Sequence, residues 1–135
     1  MKIEINKLSP EKVDMGFLKR VASKTCKVLS RACRGKKEIS IVLVDGAKIK
    51  ALNKKYLKRN RVTDVLAFDY GEIIICLPQA KRQAKELGHS LKEELATLLI
   101  HGILHLAGYN NETKKDFNRM LKRQNKIFKE VYGKK

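Results

Sequence analysis

Between Ser90 and Gly108 the chain reads SLKEELATLLIHGILHLAG, and this stretch restricts the possible folds more than any other. Ser90 followed three residues later by Glu93 is the capping-box pattern that opens a helix, and Gly108 closes it. Leu95, Leu98, Leu99, Ile100, Ile103, Leu104 and Leu106 take up most of that helix's circumference, so it has no broad polar face to turn toward water. Such a helix has to be enclosed, and the rest of the chain must supply the layers around it.

Those layers can be read from periodicity. KIEIN at 2–6 alternates like a short strand. From Val13 to about Cys33, Phe17, Val21, Val28, Leu29 and Ala32 recur at helical spacing, and Gly35 stops that helix. EISIVLV at 38–44 is rich in β-branched residues and reads as a central strand, with a turn at Asp45-Gly46. AKIKALNKKY at 47–56 reads as a short helix, and DVLAFDY and EIIICL, meeting at Tyr70-Gly71, as a tight hairpin. Further helices are expected from about Gln79 to Leu87, from Leu91 to Ala107, and over roughly 112–131, the last with Phe117, Met120, Leu121, Ile127, Phe128 and Val131 on one stripe. The order β, α, β, α, β, β, α, α, α predicts an α+β fold, a small mixed sheet packed with helices. There is no linker or repeat, and 135 residues suit one domain over 1–135.

Charge narrows the partners. Thirty-one Lys and Arg against 14 Asp and Glu give a formal +17, an imbalance that favours a polyanion such as RNA. The bases are spread along the chain instead of forming one basic amphipathic segment, which speaks against a membrane surface. The longest apolar run, LATLLI, has six residues against the roughly 18 needed to span a bilayer. MKIEINKLSP lacks the apolar core of a signal peptide, so a cytoplasmic location is expected. Cys26, Cys33 and Cys76 form no C-x-x-C pair and read as reduced, structural thiols.

His101 and His105 stand four apart on the apolar helix, which puts both rings on one face about 6 Å apart along the axis. That spacing suits one divalent ion, and imidazole nitrogen suits zinc; two hydrogen-bonded core histidines would read the same way. Gly102 stands where H-E-x-x-H carries its general base, which argues against a peptidase of that type, and its missing side chain would let another element come close. Glu94 and Thr97 share a face with His101 and are candidates to orient an imidazole, although Glu94 also fits an ordinary first-turn acid. His89 reads as a loop residue.

Taken together, HGILHLAGY at 101–109, Leu52-Asn53-x-x-Tyr56, TDVLAF at 63–68, GEIIIC at 71–76, Gly88-His89-Ser90, and Met120 with Gln124 resemble, in order, the segments of the YbeY family, bacterial metal-dependent endoribonucleases of ribosomal RNA maturation. The resemblance covers roughly residues 38–130. It implies a zincin-like fold with the metal-site helix central, one zinc held by three histidines, action on the small-subunit rRNA precursor, and the small ribosomal subunit as partner. The first two ligands carry over to His101 and His105, but the third falls on Asn111 and the family's preceding aspartate on Asn110. An amide oxygen is a poorer zinc ligand than imidazole, so weaker binding is expected; Glu112 is a conceivable substitute donor. The family's arginine after the tyrosine of L-N-x-x-Y is Leu57 here, and the segment between Phe68 and Gly71 is shorter than is usual.

The expectation is a zinc-dependent endoribonuclease that needs no small-molecule cofactor. The alternatives are a weakened member that binds RNA or ribosomes without cutting, and a metal hydrolase with another substrate. No residue is assigned to acid–base catalysis. Lys54, Lys55, Lys58, Arg59 and Arg61 are the expected RNA contacts because they precede the strand that resembles the family's substrate-side strand. Lys114, Lys115, Arg119, Lys122, Arg123, Lys126 and Lys129 fit either the solvated face of the last helix or a second RNA contact.

Overall fold

The computed structural model describes residues 2–29, 38–46, 65–68, 71–110 and 112–132. The expected helix at 47–56 and the expected helix end at Cys33 to Gly35 lie outside them. Strands β1 (Lys2–Lys7), β2 (Glu38–Val44), β3 (Val65–Phe68) and β4 (Glu72–Cys76) form one sheet in the order β1-β2-β4-β3. The pairs β1·β2 and β2·β4 are parallel and β3·β4 is antiparallel, so the sheet is mixed, as the element order predicts. Its helices are α1 (Met15–Val28), α2 (Leu77–Leu87), α3 (Leu91–Leu106) and α4 (Lys114–Val131). None of the described helices is long and apolar enough to cross a membrane.

Burial follows strand position. In β2 the buried Ile39, Ile41 and Leu43 alternate with the less buried Ser40 and Val42. In β4, which has a strand on each side, Ile73, Ile74, Ile75 and Cys76 are all buried, which is why this segment reads as a continuous apolar run instead of an alternation. The β3–β4 turn is tucked against β2: the Ser40 amide donates to the Gly71 carbonyl at 2.9 Å. Gly71 has φ +108, and a Cβ there would lie 2.7 Å from the Glu38 carbonyl oxygen, so this turn needs glycine for both torsion and space.

Helix starts are set by local chemistry. Asp14 caps α1 by accepting from the Phe17 amide at 2.9 Å, which places the first turn two residues after Val13. Pro78 in the first turn lets α2 begin at Leu77, directly after β4 and earlier than the expected Gln79. Thr113 caps α4, which therefore begins at Lys114. Two residues depart from the expected apolar stripe of α4: Phe117 and Leu121 are 46% and 41% exposed. The helix meets the core along the narrower line Met120, Gln124 and Ile127.

The central element is α3. Its Ser90–Glu93 capping box is formed as predicted, and it packs against α1, α2, α4, β3 and β4. Leu99, Ile100, Ile103 and Leu104 are fully enclosed. By area, burying each such side chain is worth about 2 kcal/mol before conformational entropy is counted. Cys26 and Cys76 are buried thiols, in keeping with a structural role; Cys33 lies outside the described residues.

Candidate metal centre

The paired histidines sit in the C-terminal half of α3, on a face that is only partly buried. Helical spacing puts the rings together: their centroids are 4.6 Å apart, edge to face at 79°, and the two Nε2 atoms are 3.1 Å apart. The rings therefore converge near the surface and are not sealed in the core.

His101 Nδ1 lies 2.7 Å from the Gln124 Oε1 of α4, so its N–H donates to the amide oxygen and its Nε2 keeps a lone pair. At 3.1 Å that lone pair accepts from the Nε2–H of His105, so the metal-free pair is joined by one hydrogen bond. A divalent ion that displaced this one proton would meet both Nε2 atoms. Burial, followed by the proximity of His101, holds the His105 imidazolium below the ordinary value of 6.5, which favours the neutral form that ligates metals.

The donor set fits a zinc-like ion at two corners. Zn–N bonds of about 2.0–2.1 Å in a tetrahedron want the nitrogens ~3.3 Å apart, a few tenths of an ångström from what the rings already offer. Among the described residues no group of three or more His, Cys, Asp and Glu side chains could hold a metal ion, so Glu112 is not grouped with His101 and His105. The Glu112 amide instead donates to Asn110 Oδ1 at 3.0 Å in a local turn. Asn111 lies outside the described residues, as do Lys54, Lys55, Leu57, Lys58, Arg59 and Arg61.

Gly102 has the role its missing side chain suggested. A Cβ there would meet Ile73 Cγ2 of β4 at 3.0 Å, so the histidine helix rests directly on the strand. The two expected orienting residues behave differently. The Thr97 hydroxyl donates to its own helix at the Glu93 carbonyl, 3.0 Å away. Glu94, 3% exposed, accepts from Gln83 of α2 at 2.8 Å and lies 2.6 Å from His89 Nε2. His89 sits in the loop between α2 and α3, as expected, and is tied down there by Glu94. The group that orients His101 is Gln124, which the sequence marks, with Met120, as YbeY-like without giving it a role.

The Endoribonuclease YbeY family model matches residues 4–132, nearly the whole described span. The chain belongs to the YbeY family. Among curated relatives, the Endoribonuclease YbeY of Sulfurihydrogenibium sp. is 41% identical over 140 aligned residues, covering 94% of this chain and 90% of the relative. That of Persephonella marina is 36% identical over 144, covering 96% and 92%. The solution structure of TM1509 from Thermotoga maritima superposes with a TM-score of 0.70 at 33% identity, covering 97% of this chain and 89% of that one. The YbeY resemblance and the fold class read from the sequence both hold.

Proposed function

We propose that this chain is a metal-dependent endoribonuclease of ribosomal RNA maturation, acting as one domain over residues 1–135 on the precursor of small-subunit rRNA in the cytoplasm. The proposed ligands of one divalent ion, zinc by donor chemistry, are His101 and His105 with Asn111 as a weaker third. The reading rests above all on the two Nε2 atoms held 3.1 Å apart on a partly exposed face, with the His101 ring oriented by Gln124. Family membership supports the nuclease activity, because its curated relatives are named endoribonucleases. When bound, such an ion supplies a Lewis acid for a phosphoryl oxygen and lowers the pKa of its water.

The chain's own residues supply positioning. Gln124 orients the His101 ring, and Lys54, Lys55, Lys58, Arg59 and Arg61 are the proposed contacts to RNA, with the small ribosomal subunit as partner. The binding-only alternative is not favoured, since the reported relatives carry a nuclease name.

The test is cleavage of a structured rRNA fragment by tag-free protein with and without zinc, beside His101→Ala. Metal-stimulated cutting that disappears in the variant is the expected result. RNA retention with no cutting at any metal concentration would sink the enzyme and leave the binder.

A further inference from the structure

The outer face of α4 carries Lys115, Arg119, Lys122, Lys126 and Lys129, spaced four, three, four and three residues apart, and all five are exposed. On a helix that spacing makes one straight stripe about 21 Å long. The acids of α4, Asp116 and Glu130, stand near its two ends, with none along the stripe between them. Three bases elsewhere are paired with acids, Lys2 with Glu4, Lys81 with Glu11 and Lys92 with Asp14. Among the described residues, no ion pair reaches the five stripe residues.

A face that only had to be solvated would gain from mixed signs, whereas like charges at i,i+4 cost a few tenths of a kcal/mol per pair. The stripe is therefore unfavourable to the isolated helix and is relieved by a polyanion. Its position says which one. Arg119 lines a cavity of about 160 Å³ together with Gly108, Tyr109, Asn110 and Asp116, in the loop that follows the histidine helix. From Arg119 the stripe runs along the face of α4 opposite the one that carries Gln124.

We propose that this face of α4 is a docking track for the phosphate backbone of single-stranded RNA flanking the cleaved bond, with Arg119 as its site-proximal end. The proposal rests on the nuclease reading for its substrate, but it is tested by binding alone. Track and centre share α4, with the bases facing outward and Gln124 facing the histidines.

The experiment titrates a fluorescent single-stranded oligoribonucleotide with metal-free, full-length protein across salt concentrations. The variants are the triple Lys122→Gln, Lys126→Gln, Lys129→Gln and the charge-matched control Lys81→Gln, Arg82→Gln, Lys85→Gln on α2. Loss of three phosphate contacts should weaken binding roughly 10- to 100-fold at ~0.1 M salt and flatten the log–log salt slope by ~2. The control should change binding by less than about threefold, as expected of diffuse charge. Equal losses in both triples, or no loss in the α4 triple, would overturn the proposal. Circular dichroism confirms that each variant is folded. A protein that fails to cut RNA but shows the predicted split refutes the nuclease reading while supporting the track.

Discussion

The two ends of α3 each hold histidine, and they use it in opposite ways. At the N-terminal end His89 meets the buried Glu94 at 2.6 Å, and Gln83 takes the second carboxylate oxygen at 2.8 Å. The acid there has its partners within the protein. At the C-terminal end His101 and His105 meet each other, and among the described residues the side chain bonded to the pair is the neutral amide of Gln124. A histidine with a carboxylate locks two helices together, whereas two histidines with a neutral partner suit a cation.

The contrast breaks first at the ligands. His105→Ala should lower zinc affinity, read by competition with a chromogenic chelator, by more than the ~100-fold upper range for losing an outer partner, with little change in folding. Conversely, Glu94→Ala should leave metal affinity nearly unchanged but cost about 3 kcal/mol in urea unfolding, because His89 and Gln83 lose a buried acceptor. If Glu94→Ala instead abolished metal binding with the fold intact, the division between the two ends would be wrong. Gln124→Leu keeps the apolar stripe and removes the acceptor from His101; zinc affinity should fall roughly 10-fold, and Gln124→Glu should restore it.

Smaller effects sharpen the picture. Gly102→Ala should destabilise by about 1–2 kcal/mol, since the new methyl presses on the buried Ile73, and the double variant Gly102→Ala, Ile73→Val should recover part of it. The smallest effect is with pH. His105 is held below 6.5 in the fold, so as pH drops the unfolded chain takes the proton first. Its contribution is present above pH 6.5 and is lost as pH falls from there to the depressed folded value. Urea midpoints of metal-free protein should decline through that window, and less so in His105→Gln.

What could be read from the sequence was what local chemistry decides. The Ser90–Glu93 box, the β-branched 38–44 run and the convergence of His101 with His105 all depend on neighbours within a few residues. Gln124 lies 23 residues from the ring it holds, and only the packing of α4 on α3 brings them together. Glu94 meets the His89 imidazole and not that of His101, because α2 and the loop before α3 lie on its side of the helix, which helical spacing alone cannot reveal. Phe117 and Leu121 fit the helical period, yet the contact line of α4 is narrower than its apolar stripe.

Because Gly102 puts nothing but backbone between the histidine helix and Ile73, the sheet and the paired histidines form one mechanical unit with no cushion. Repacking the floor beneath β4 would carry both imidazoles with it. Bulk added at Gly102 therefore has to be taken from Ile73.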